Sequence, residues 1–126
     1  MGDCEFSVTI SKGSFEFSMY FYGNVGEWMA LGKQLTTFPL NIADQARFEI
    51  GSQSSLIHLA LNAYCYDEKR HTALGVIMGK NDGEPHRYRF DFSIPAEVAS
   101  INQLGQCLLN WKVENGSEII WEVQTS

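Results

Sequence analysis

Basic residues are scarce. Lys and Arg number 9 among 126 residues, against 15 Asp and Glu, for a formal charge of −6. Phosphate backbones and anionic lipid surfaces are held by clustered cations. Here only Glu68-Lys69-Arg70 and His86-Arg87-Tyr88-Arg89 are locally basic. Neither a nucleic-acid partner nor a membrane partner is expected. The field instead favours encounter with a basic protein, although a charge of this size also serves solubility.

Cysteine is equally sparse. Cys4, Cys65 and Cys107 are an odd number without short spacings, which excludes a disulfide framework and a paired-cysteine zinc motif. Reduced thiols in the cytoplasm are the simplest account. No apolar run approaches the roughly 18 residues a spanning helix needs. The opening "MGDCEFSVTI" has no basic n-region or apolar h-region, and Phe6 stands where a myristoylation signal carries Ser or Thr. A cytoplasmic protein is therefore expected.

Catalytic motifs are missing too. There is no HExxH, no Gly-x-Ser-x-Gly and no phosphate loop, and "MGKNDGE" lacks the ligand pattern of a calcium loop. His58, His71 and His86 have no metal-ligand spacing. Neither metal nor cofactor is expected, and an enzyme is the less favoured class.

What the chain does have is apolar and aromatic content, 44% and 13%, enough for an ordered core. The length suits one domain over residues 1–126, able to bury roughly two-thirds of its unfolded surface. "CEFSVTI" and "FEFSMYFYG" alternate strictly around a Gly13 turn and predict a β-hairpin. Asn24 and Glu27 suit a capping box ahead of Trp28, Leu31 and Leu35, predicting a short helix to about Thr36. Gly26 and Gly32 weaken it by about 1 kcal/mol each.

"RFEIGS", "SLIHLALNAYCYD" and "HTALGVIMGK" follow as strands. In the long one, Ile57, Leu59, Leu61, Ala63 and Cys65 form the apolar face. Asp82-Gly83 signals a hairpin turn. Tyr88, Phe90, Phe92 and Ile94 then alternate with Arg87, Arg89, Asp91 and Ser93. At Pro95 the period changes. Pro95 suits a first helical position, with Ser93 or Ile94 as cap, and Val98, Ile101, Leu104, Leu108 and Trp111 form a core-facing stripe. "SEIIWEV" reads as a last strand. The expected fold is α+β: an antiparallel sheet of about six strands and two helices, the longer C-terminal helix packed on one face.

Two surfaces are candidate sites. The polar face of the sheet carries His58, Asn62, Arg87, Arg89 and Asp91. There imidazole, guanidinium and carboxylate could exchange protons or hold an anion, and a solvated face with cross-strand ion pairs explains the same residues. Cys65 and Cys107 fall on core-facing positions and read as small apolar residues rather than nucleophiles. The second candidate is acidic and tyrosine-bearing: Tyr64, Tyr66, Asp67, Glu68, Asp82 and Glu84, with Tyr20 and Tyr22 also on polar strand faces. Tyrosine gives contact area at small entropic cost, so an acid-rimmed tyrosine face suits a basic protein.

"EWMALGKQL" before a meander, the "LIHLALNAYCYDEKRHTALGVIM" hairpin and the "FSIPAEVASINQLGQCLLNW" strand-to-helix unit resemble small acidic bacterial single-domain proteins of uncharacterised families, including immunity proteins of toxin systems. That resemblance implies a non-enzymatic protein that occludes a basic toxin domain. A small enzyme or ligand-binding domain using the polar sheet face stays open, as does a structural subunit that homodimerises.

Overall fold

Alternation along the first 24 residues builds a hairpin. In a computed structural model that describes residues 3–122, β1 (Asp3–Lys12) pairs antiparallel with β2 (Phe15–Asn24), placing Phe6 opposite Phe21 and Val8 opposite Met19. The turn needs a residue with positive φ, and Gly13 supplies it at φ +61. Helix α1 (Val25–Thr36) follows directly. Asn24 caps it, its side chain accepting from the Gly26 N–H at 2.7 Å.

Then comes an antiparallel meander of β3 (Gln45–Ile50), β4 (Ile57–Cys65), β5 (Thr72–Lys80) and β6 (Tyr88–Pro95), in that spatial order. Its register aligns Phe48, Leu61, Val76 and Phe92 across one face. Helix α2 (Val98–Leu109) closes the regular structure.

The class is α+β with two helices, and the strands form two antiparallel sheets, of two and four strands, rather than one of six. The reason lies in the apolar face of the hairpin. Phe15 meets Phe90 and Phe92, with ring centroids 4.9 and 5.5 Å apart, and Phe17 meets Tyr88 and Phe90 at 4.8 and 4.9 Å. Aromatic packing, not backbone pairing, joins β2 to β6.

The helices differ from expectation in length and neighbours. Both have 12 residues, so the C-terminal one is not the longer. α2 packs chiefly on α1, and α1 on β3 and β2. Gly32 and Gly105 meet at the helix crossing, where a Cβ on Gly105 would lie 2.7 Å from the Thr36 nitrogen and 2.8 Å from the Gly32 oxygen. Asn102 reaches across to donate to the carbonyls of Leu35 and Phe38, 2.8 Å each, satisfying the end of α1.

Pro95 ends β6 instead of opening the helix. The Ala96 N–H donates to the Thr72 carbonyl at 3.0 Å, and the Thr72 hydroxyl donates to the Ala96 carbonyl at 2.6 Å. These bonds prolong the ladder by one residue and move the cap to Glu97. The segment expected as a final strand is irregular over 117–122, and Val123 lies outside the described residues. It is pinned by Trp121 Nε1, which donates to the Ser100 carbonyl at 2.8 Å. β5 and β6 are joined as a hairpin by the seven residues 81–87, which contain the Asp82-Gly83 turn signal.

Candidate functional site

The outer face of the four-stranded sheet is read from register. Glu49, Ala60, Ile77 and Asp91 form one row; Arg47, Asn62, Gly75 and Ser93 form the next; His58, Gly79 and Arg89 form a third. Small residues line its floor, and Ala60, Ala73 and Gly79 are buried there.

His58 is buried on this face, its side chain 6% exposed. Its Nε2 lies 2.7 Å from Glu49 Oε2, and its Nδ1 lies 3.4 Å from Arg89 Nη1. A guanidinium only donates, so Nδ1 is the acceptor and Nε2–H donates to Glu49. The result is a chain of carboxylate, imidazole and guanidinium. Gly79 makes room for it, since a Cβ there would meet Arg89 Nη1 at 3.4 Å. Arg47 approaches the other Glu49 oxygen at 3.8 Å.

Of the residues expected on this face, His58 and Arg89 are brought together. Asp91 stands two residues along the same strand. The Asn62 side-chain oxygen Oδ1 is buried without a hydrogen-bond partner among the described residues. Tyr64 bonds its hydroxyl to that of Ser93 at 2.7 Å. Arg87 lies in the preceding turn, 3.6 Å from Glu84. Glu49 was not singled out from sequence, because only the β3–β4 register puts it beside His58; its place on the polar side of "RFEIGS" was the available signal. Chemically the chain fixes Arg89. Both nitrogens of His58 are engaged, one by Glu49 and one by Arg89.

The acidic candidates separate into two groups. Asp67 accepts from the Lys69 and His71 N–H groups at 3.0 and 3.1 Å and lies 2.6 Å from His71 Nδ1. The hydrogen bond from the His71 side chain holds the Asp67 carboxyl below its ordinary value. Tyr66, half exposed, stacks on His71 with centroids 6.0 Å apart. Glu68 is exposed in the same turn. Asp82 and Glu84 lie at the other end of β5, beside Lys80 (3.8 Å) and Arg87 respectively. Nine residues of strand put roughly 30 Å between the two turns, so Tyr66, Asp67 and Glu68 do not share one patch with Asp82 and Glu84.

The hairpin presents a third surface. Its outward residues pair as Glu5 with Tyr22, Ser7 with Tyr20, Thr9 with Ser18 and Ser11 with Glu16. Tyr20 is 65% exposed and Tyr22 77%. The hydroxyls of Thr9 and Ser18 bond at 2.7 Å, and Ser11 donates to Glu16 at 3.0 Å. The inward residues Phe6, Met19 and Phe21 are buried, which holds the tyrosines on the solvent side.

All three cysteines are half-buried, and Cys4 and Cys65 pack against the core. Among the described residues no helix is long and apolar enough to cross a membrane. The fold defines an α+β protein with a two-stranded and a four-stranded antiparallel sheet. No family model, curated protein or solved structure matches the chain.

Proposed function

We propose that the protein works by binding, without catalysis, and that the solvent face of the β1–β2 hairpin docks a basic protein surface. One observation carries this reading: Tyr20 and Tyr22 stand uncovered on a strand face with Glu5 at one end and Glu16 at the other. Tyrosine rings contribute contact area for little lost rotamer entropy, and the flanking carboxylates complement Lys and Arg. The resemblance to immunity proteins makes a cationic toxin domain, such as a nuclease, the first partner to test. The protein would act by occluding its cleft. Asp67, Glu68, Asp82 and Glu84 add to the long-range field from both ends of the larger sheet. The cytoplasm is the compartment in which Cys4, Cys65 and Cys107 would stay reduced.

An enzymatic role has one observation in its favour, the Glu49–His58–Arg89 chain. Against it, His58 is buried with its two nitrogens facing Glu49 and Arg89, and no pocket opens onto it among the described residues.

The test starts from a partner captured in the native cell and purified. Tyr20→Ala with Tyr22→Ala should weaken its binding about 30-fold or more, the effect of losing a hot spot worth about 2 kcal/mol. Glu5→Lys with Glu16→Lys should weaken it too and flatten its salt dependence. A partner that binds wild type and both variants equally would refute the proposal.

A further inference from the structure

The outer edge of β6 has no strand beside it in the four-stranded sheet. The Ala96 N–H bonds the Thr72 carbonyl, so residues 96 and 72 form a hydrogen-bonded pair. Such pairs alternate along an antiparallel ladder. Ile94, Phe92, Phe90 and Tyr88 therefore direct their N–H and C=O groups toward β5. Arg89, Asp91 and Ser93 direct theirs away from it. The Ser93 carbonyl confirms this parity, because it accepts from Lys12 Nζ of the hairpin at 2.7 Å.

The two outer edges of the sheet are treated differently. On β3, Gln34 of α1 accepts from the Arg47 N–H at 3.3 Å. On β6, Lys12 covers Ser93 and Pro95 has no N–H to offer. Between those features and the turn, Arg89 and Asp91 have no backbone partner among the described residues. Unpaired edge groups of this kind template strand addition.

We propose that two copies join edge to edge through β6, antiparallel, about a two-fold axis at Phe90. Register follows from charge. Outward-directed residues must face one another to bond, which leaves three central registers. Arg89 against Arg89 and Asp91 against Asp91 oppose like charges directly. The third sets Arg89 against Asp91 twice, by symmetry. It gives two ion pairs on the outer face and two reciprocal pairs of backbone bonds. Arg89 arrives pre-oriented: His58 holds Nη1 and leaves its remaining N–H groups for the partner's carboxylate.

On the inner face the same register brings the two Phe90 rings together. A hollow of about 330 Å³ lined by Lys12, Phe15, Arg89, Phe90, Asp91 and Phe92 lies along this edge, where the partner's strand would seat. Pairing stops at Ser93, whose carbonyl Lys12 already holds. Two four-stranded sheets become one of eight strands. This inference does not rest on the hairpin face proposed above, and its test uses the isolated chain alone.

The experiment is sedimentation or light scattering from about 1 to 100 μM, the range in which micromolar association registers. The wild-type chain should reach twice 14.2 kDa. Asp91→Arg and Arg89→Asp should each be monomeric, with circular dichroism confirming that both are folded. Mixed together they should form a heterodimer, because each Arg then faces an Asp. The double exchange Arg89→Asp with Asp91→Arg should restore the homodimer. Hydrogen exchange at the amides of residues 89 and 91 should slow as concentration rises. A chain that stays monomeric throughout, as it would if β6 instead accepted an extended segment of another protein, overturns the proposal. So does a dimer that survives Asp91→Arg.

Discussion

Replacing Gly105 by Ala pits two effects of opposite sign against each other. In a helix interior Ala is favoured over Gly by about 1 kcal/mol. At this position, however, the added Cβ would lie 2.7 Å from the Thr36 nitrogen, 2.8 Å from the Gly32 oxygen and 2.9 Å from the Leu35 carbonyl carbon. All three are backbone atoms, so no side chain can rotate away. Ordinary contact begins at 3.4 Å, and α1 and α2 must part by roughly 0.7 Å to reach it. Opening a packed surface by 0.5–1 Å forfeits about a quarter to a half of each contact's attraction. Overpacking of this kind costs about 1–3 kcal/mol, occasionally more.

The crossing is central to the core, since Ile101 and Leu108 flank it on α2 and Leu31 and Leu35 on α1, all buried. The upper part of the range therefore applies. After the propensity gain, a net loss of about 2 kcal/mol is expected. Urea unfolding followed by tryptophan fluorescence reads this as a midpoint lowered by about 1 M, for a slope of about 2 kcal/mol per M. Ala30→Gly, on the exposed side of α1, supplies the propensity term alone and should cost about 1 kcal/mol. If Gly105→Ala matched or exceeded wild-type stability, the close helix crossing would be wrong.

Other expectations follow from the same geometry. Asn102→Ala removes the donor serving the Leu35 and Phe38 carbonyls and should cost about 1–3 kcal/mol in urea; an unchanged midpoint would remove that role. Arg70 has φ +63, a conformation costing a side-chain-bearing residue about 1–2 kcal/mol. Arg70→Gly should stabilise by about 0.5 kcal/mol once glycine's extra unfolded-state entropy is subtracted, and a loss would contradict the strain. Asp67, hydrogen-bonded by His71, has a folded pKa below its unfolded one. Its contribution is therefore complete above the unfolded value of about 3.9 and lost as pH falls through the folded value. The stability gap between wild type and Asp67→Asn should be present at neutral pH and close in acid; a gap independent of pH would exclude the linkage.

Much of the local structure was legible without coordinates. The two-residue period of "CEFSVTI", "FEFSMYFYG" and "YRFDFSI" assigned inward and outward sides correctly, because a strand's side chains alternate whatever it pairs with. Asn24 announced its helix because a cap bond spans only neighbouring residues. The outward side of Tyr20 and Tyr22 was legible for the same reason, as both share the parity of Glu16, whereas the acids expected to rim a tyrosine face, Asp67, Glu68, Asp82 and Glu84, lie on the turns of the larger sheet. Pro95 misled, since its fixed φ suits a strand end as well as a helix start, and the deciding bonds join Ala96 to Thr72, 24 residues apart.

Distant partners settled everything else. Gly32 read as a defect in α1 until Gly105 was found against it. Glu49 meets His58 only through the β3–β4 register, which pairs residues with no mutual sequence signal. The hairpin stands apart from the larger sheet because Phe15 and Phe17 lie on the Tyr88–Phe92 face rather than bonding its edge. Sequence alone determined which way each side chain points along its own strand or helix, since that follows from backbone geometry within a few residues. Only the tertiary structure decided which strands share a sheet, which edge is left open and which charges meet, because those depend on packing between segments that the chain's order does not relate.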